Sequence, residues 1–555
     1  MRNISPAVLA LFVAVGFGGA AFASAPDGVS YGDYLSARIA AGQHDLPSAA
    51  RLYRSSLAAD PNNADLLNRA FLFTAASGDM DDATALAKRI LKTLPDDRPA
   101  RLTLTVQAFK DHDYRAARMQ LAQSAKGPFT ELVLSLLDAW GAQGVGDTKA
   151  ALADLANVVG QGGTDALASF HRALILDLAG RNDEADAAYK QALATGESPR
   201  VVEAYGRFLE RTGRGADARA FYTKEEANSA LTPLALQGLA RLDAGKVPDR
   251  LVATPAAGAA EVLFGIAASL TDQTNADIAT LYLRMALYLA PDLDLAKIVL
   301  ADRFEALGKF EDAITVYRSV APDSPYSSAA QIEAAVDEGK LDQNDKSIAD
   351  LEAIAEQSPN EVSVWTALGD AYRSAEKYAD AAGAYDHAIK LSGAPMEKDW
   401  PLYYARGVSE ERSKNWPAAE ADMLMALKLS PDQASVLNYL GYSWIDQGRR
   451  MPEAIAMLEK ARTLSPYDGY IVDSVGWAYY RDGRYQDAAK TLLDAVLLVP
   501  GDPTINEHLG DAYWKIGRKL DAQFQWNHAL ADGPDDAQKA KLEEKLKDGL
   551  GGGRS

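Results

Sequence analysis

The stretch "DSVGWAYYRDGRYQDAAKTLLDAVLLVP", residues 473–500, decides how the whole chain is read. Val475 and Tyr479 lie before Gly483, and Ala488, Leu492 and Ala495 lie after it, at the spacings of three and four that mark two amphipathic helices. Gly483 breaks the two helices apart, and Pro500 stops the second. Gly476 sits inside the first helical stretch, where glycine costs about 1 kcal/mol relative to alanine. A glycine kept at that cost points to a close helix–helix approach that a side chain would block.

Prolines then recur at Pro291, Pro325, Pro359, Pro431, Pro466, Pro500 and Pro534, with gaps of 34, 34, 72, 35, 34 and 34 residues. The long gap holds one further unit and a short insertion, "GAPMEKD" at 393–399. Pro61 and Pro95 are again 34 apart. Within the units the same positions return. Trp365, Leu368, Gly369, Tyr372, Ala381, Tyr385 and Ala388 form one set; Leu437, Leu440, Gly441, Trp444, Ala454, Leu458 and Ala461 form another. A third runs through Asn506, Leu509, Gly510, Tyr513, Ala522, Trp526 and Ala529. In "PGDP", Asp502 is placed to cap a helix with Pro503 as its first residue.

This spacing, W-x2-L-G-x2-Y followed by A-x3-F, then A and P, resembles the tetratricopeptide repeat. The resemblance implies an all-α fold, a TPR-type α-solenoid of antiparallel helix pairs, with about fourteen units between residues 30 and 534, some degenerate. The expected organisation is a degenerate array over 26–242, a linker or damaged half-repeat over the Pro/Gly/Ala-rich 243–261, a better-preserved array over 262–534, and a polar capping helix with a tail over 535–555.

The first 25 residues have the layout of a cleaved secretory signal. Arg2 precedes an apolar run from Ala7 to Ala23, and Ala23-Ser24-Ala25 offers cleavage after Ala25 or Ala23. The expected location is therefore periplasmic. The chain has no cysteine, so lipid attachment at the cleavage site is chemically impossible, and zero Cys fits an oxidising compartment. No later apolar run reaches the ~18 residues of a membrane span. A formal charge of −20 argues against sequence-independent nucleic-acid binding, which relies on a basic surface.

A repeat scaffold can still carry an enzyme. The chain contains no H-E-x-x-H, P-loop, G-x-S-x-G elbow or dinucleotide fingerprint. "GAQGVGD" and "GQGGTD" lack the spacing and the preceding strand, and read as loops. The six histidines are scattered, and His508 and His528 share a repeat but fall on different helices. The expectation is no enzyme, no metal site and no cofactor.

With the packing positions assigned, the other face of each first helix looks into the solenoid. Over the last four repeats that face carries Tyr404, Arg412, Asn438, Tyr439, Tyr442, Tyr470, Trp477, Tyr480, Arg481, Trp514 and Lys515. Concave solenoid faces bind partners, and Tyr, Trp and Arg are the residues that anchor interfaces. Two readings stand: a protein-binding groove, or aromatics that pack neighbouring helices together in the better-preserved repeats.

"LNYLGYSWIDQG" (437–448), "DGYIVDSVGWAYYRDGRYQDA" (468–488) and "INEHLGDAYWKIGRKLDAQFQW" (505–526) narrow the resemblance. They are similar to the C-terminal block of exported proteobacterial TPR proteins, some of them outer-membrane lipoproteins that act as adaptors of a periplasmic C-terminal processing protease. That resemblance implies protein partners, a periplasmic protease and cell-wall hydrolases, joined by a non-enzymatic adaptor. The alternative is a scaffold for envelope assembly, in polysaccharide export or pilus assembly.

Overall fold

The computed structural model describes residues 31–156, 158, 165–196, 198–226, 231–270 and 276–550. The expected signal peptide and the last five residues lie outside the described residues. Among the described residues there are thirty α-helices, one single-turn 3-10 helix and no strand. None of these helices is long and apolar enough to cross a membrane. The chain is an all-α solenoid of the tetratricopeptide type, and it divides into two compact units, the first ending in sequence at Leu341 and the second beginning at Asp342.

In the C-terminal unit the helices alternate as the period requires. Trp400–Arg412 pairs with Trp416–Leu429, Ala434–Asp446 with Met451–Leu464, Gly469–Arg481 with Tyr485–Leu498, and Pro503–Lys515 with Lys519–Ala531. The expected turn at Gly483 is present, with φ of 81°, and Gly448 and Gly517 turn in the same way at 66° and 87°, a region that side chains avoid. The Asp502 carboxylate accepts the backbone N–H groups of Thr504 and Ile505 ahead of Pro503. Ala454, Ala488 and Ala522 are wholly buried. The close approach at Gly476 is made against Leu492, four residues beyond Ala488: a Cβ at 476 would stand 2.6 Å from the Leu492 Cγ. At Gly510 the Trp526 indole fills the corresponding space. Trp444 and Trp526 are core residues, whereas Trp365 is half-buried and lies against His387, ring centroids 4.0 Å apart and planes tilted by 32°.

The last helix, Asp536–Asp548, stands beside Pro503–Lys515 and Lys519–Ala531 as a closing helix without a second of its own. It buries one leucine, Leu542, and otherwise presents charge, which is what a terminal repeat needs towards water.

The N-terminal unit opens with helix pairs from Tyr31–Gly42 and Leu46–Ala59 through Pro199–Arg211 and Gly215–Glu225. Thr232–Asp243 then has no second helix, and residues 244–254 run without helix. The linker expected over 243–261 ends earlier, because 255–261 already belong to the helix Pro255–Ser269. That helix and Ala276–Leu289 turn back onto the first helices of earlier pairs. Pro255–Ser269 packs on Arg98–Lys110, Pro128–Gly144 and Asp165–Leu178; Ala276–Leu289 packs on Ala64–Ser77 and Arg98–Lys110. The reason is apolar area: Pro255–Ser269 is buried along nearly its whole length, including Val262, Leu263, Phe264 and Ile266, and a helix apolar all round must be covered on all sides. Residues 262–341 therefore belong with the N-terminal unit rather than with the array after it.

Candidate protein-binding face

Consecutive first helices of the C-terminal unit lie side by side, so residues about one repeat apart in sequence meet across them. Tyr404 meets Tyr439 edge-on, ring centroids 6.0 Å apart. The Tyr439 hydroxyl donates to the Glu411 carboxylate at 3.0 Å. Burial, and after it the Glu411 charge, pushes the Tyr439 phenol well above its ordinary pKa. Arg412, exposed, stands over the Tyr378 ring at 5.1 Å and donates to its hydroxyl at 3.1 Å. Asn438 keeps its side-chain oxygen buried with no hydrogen-bond partner among the described residues.

The next cluster is tighter. Trp477 is sandwiched between Tyr480, at 4.7 Å, and His508, at 4.0 Å, with near-parallel planes on both sides. His508 Nδ1 lies 3.0 Å from both oxygens of Asp473. Burial alone would strip the imidazole of its proton, but the Asp473 carboxylate outweighs it, so the His508 pKa stands above the ordinary value. Tyr442 is half-buried, and its phenol is raised first by burial and then by the Asp473 and Asp446 carboxylates. Arg481 donates to the Asp446 carbonyl at 3.3 Å and pairs with the Asp446 carboxylate at 3.6 Å.

Towards the end of the unit Trp514 packs on Trp526 at 5.3 Å, and Lys515 stands 5.8 Å over Tyr485, which meets Tyr480 edge-on. Tyr470 is 59% exposed at the start of its helix, two turns from Trp477 and apart from these clusters.

The structure therefore groups the expected residues into a Tyr404–Tyr439 pair, a Tyr442–Trp477–Tyr480–Arg481 cluster and a Trp514–Lys515 end, with Tyr470 separate. It adds partners that the face pattern did not supply: Tyr378, Glu411, and the Asp511–Lys545 pair at 2.8 Å. A sequence signal existed for the contacts of Asp473 and Asp446 described above. Asp473 and His508, and Asp446 and Arg481, are 35 residues apart, one repeat plus one.

Chemically the face offers half-buried rings, exposed guanidinium and ammonium groups, and carboxylates already engaged. Rings and cations of this kind take up apolar side chains and negative charge from another protein. His508 is stacked and paired, so it is not placed to act as a free base.

A solenoid of antiparallel helix pairs with aromatic residues and cations on its first helices defines a repeat protein of the protein-binding class. The tetratricopeptide repeat family model matches residues 136–199, 179–231, 332–395, 404–469 and 476–537, together more than half of the chain, and the chain belongs to that family. Proteins of this family are in general non-enzymatic scaffolds that bind protein partners. The TPR repeat-containing protein PA4667 of Pseudomonas aeruginosa is 28% identical over 201 residues, which are 36% of this chain and 33% of that protein. The chain thus spans about a third of the length of this curated relative. Among solved structures, the Cut9–Hcn1 hetero-tetramer of APC/C covers 93% of this chain and 96% of its own, at 16% identity and a TM-score of 0.39. A tetratricopeptide repeat protein from Parabacteroides merdae covers 46% of this chain and 97% of its own, at 13% identity and a TM-score of 0.37.

Proposed function

We propose that the chain is an exported, non-enzymatic scaffold that binds proteins on the first-helix face of its C-terminal unit. In the periplasm it joins a C-terminal processing protease to peptidoglycan hydrolases. One observation carries the binding reading: the row of half-buried rings from Tyr404 to Trp514, edged by exposed Arg412, Arg481 and Lys515. Aromatic residues that keep part of their surface in water, beside unburied cations, are the composition of an interface core rather than of a solvated rim. The adaptor reading is supported by the likeness of residues 437–448, 468–488 and 505–526 to the exported TPR adaptors.

The test is affinity purification of the full chain from the periplasmic fraction, with mass spectrometry of what co-purifies. A Tyr439→Ala/Arg412→Ala variant serves as the control. Recovery of a processing protease together with a hydrolase, lost in the variant, is the expected result. Recovery of polysaccharide-export or pilus-assembly components instead favours envelope assembly. Recovery of the same proteins by wild type and variant alike would move the binding surface elsewhere.

A further inference from the structure

The N-terminal unit shows what a first-helix face of this chain accepts, because its own chain occupies that face. Gly258 of the helix Pro255–Ser269 lies against the indole of Trp140, which is wholly buried. Arg200 grips the Glu261 carboxylate of the same helix. In the neighbouring helix Ala276–Leu289, the carbonyl of Tyr288 in the last turn accepts from Lys110 Nζ at 2.6 Å, and the Tyr288 hydroxyl donates to Gln107 at 2.9 Å. The last carbonyls of a helix lack partners within it and carry the negative end of its dipole, so an ammonium group at that point is complementary.

Lys110 is the final residue of a 13-residue first helix, Arg98–Lys110. Arg412, Arg481 and Lys515 end the 13-residue first helices Trp400–Arg412, Gly469–Arg481 and Pro503–Lys515 in the same register. Arg481 repeats what Lys110 does: it donates to the carbonyl of Asp446, the last residue of the helix Ala434–Asp446. So the closing cation of a first helix receives a helix C-terminus twice in this chain. Arg412 and Lys515 carry the same charge at the same place, are exposed, and stand over tyrosine rings.

Resting on the protein-binding reading above, we propose that the C-terminal unit takes an α-helix of a partner protein on its first-helix face. The helix lies against the tyrosines with its C-terminal carbonyls received by Arg412 or Lys515, as Ala276–Leu289 is received by Lys110. The partner segment is amphipathic, with apolar residues three and four apart on the side that meets the rings, and it ends in a free or negatively charged C-terminal turn.

The probe is a phage-displayed library of random peptides of about 16 residues, long enough for four helical turns, panned against the immobilised full chain. The expected result is enrichment of sequences with helical apolar spacing. Synthetic copies gain helical circular dichroism on binding and lose about ten-fold in affinity for an Arg412→Glu/Lys515→Glu chain, as the loss of a partly buried helix-end charge contact requires. Arg412→Ala/Lys515→Ala, which introduces no repulsion at these exposed positions, is measured beside it together with the thermal unfolding of both. Enriched binders that alternate at period two or are proline-rich, or affinities unchanged in both variants, overturn the helix assignment while leaving the binding face in place. If no enriched peptide depends on Tyr439 or Trp477, the binding face itself falls, and this inference with it.

Discussion

Trp477 and His508 lie face to face, ring centroids 4.0 Å apart and planes 13° apart, although they belong to successive first helices. The imidazole is held at its other edge by Asp473, from the same helix as Trp477. Two neighbouring helices are thus joined by a stack and an ion pair that share one ring. The ring proposed above for recognition therefore also packs one repeat against the next.

The pair makes stability depend on pH. His508 binds its proton more tightly in the folded chain than in the unfolded one, because the Asp473 carboxylate overcomes the effect of burial. Its contribution is therefore complete below the unfolded value of about 6.5 and is lost as pH rises through the higher folded value. Thermal unfolding followed by tryptophan fluorescence reports mainly on this region, since seven of the eight tryptophans lie after residue 360. The melting temperature of the wild type should fall as pH rises above about 6.5. In His508→Gln that slope should flatten; an equal slope in both proteins would assign it to other groups.

Trp477→Ala should lower both partner retention and stability. Removing the ring takes away two stacking contacts, each worth about 0.5–1.5 kcal/mol beyond buried area. Denaturant unfolding should show a loss of about 1–3 kcal/mol, and Trp477→Phe should recover most of it. Tyr470→Ala, at an exposed ring outside the cluster, should leave stability unchanged within about 0.5 kcal/mol.

Two helical glycines should respond in opposite directions to the same change. At Gly476 a new Cβ meets the wholly buried Leu492 at 2.6 Å. The overpacking cost of about 1–3 kcal/mol exceeds the helix-propensity gain of about 1 kcal/mol, so Gly476→Ala should destabilise. Gly383, inside the helix Tyr378–Ser392, has nothing within 4 Å of the same point. Gly383→Ala should therefore stabilise by about 0.5–1 kcal/mol. Chemical denaturation of the two variants separates the signs.

The contrast also marks what sequence can carry. The 34-residue period repeats along the chain, and the turn at Gly483 and the cap at Asp502 are set by residues within a few positions of one another, so all were legible. The seating of Ala276–Leu289 on the N-terminal unit was not. It depends on contacts such as Lys110 to Tyr288, 178 residues apart, which leave no periodic trace. The Pro/Gly/Ala content of 243–261 suggested a linker, but small residues also allow the close helix contact that Gly258 makes with Trp140. For the face, helical geometry gathered residues that the structure places in a Tyr404–Tyr439 pair and around Trp477. The spacing of 35 residues brings His508 beside Asp473, but that its ring lies flat on Trp477 depends on side-chain orientation, which spacing does not carry.

The end of the solenoid gives the last prediction. Lys545, on the helix Asp536–Asp548, reaches Glu507 at 2.5 Å and both oxygens of Asp511 at 2.8 Å. Burial raises the carboxyls of both acids. At Glu507 the hydrogen bond from Lys545 prevails and holds the group below its ordinary value; at Asp511 burial prevails. Taking away the ammonium leaves the buried Asp511 carboxylate beside the part-buried Glu507 one, and breaking a buried pair from one side costs about 3–5 kcal/mol. Lys545→Ala should thus release the closing helix, seen as faster hydrogen exchange over Asp536–Asp548 at neutral pH. Adding Asp511→Asn should restore part of the protection. It removes one stranded charge and keeps an oxygen for the Trp526 Nε1 donor, now bonded to Asp511 at 3.0 Å. If the double variant exchanges as fast as the single one, the helix is held by Leu542 and its apolar neighbours rather than by this charge.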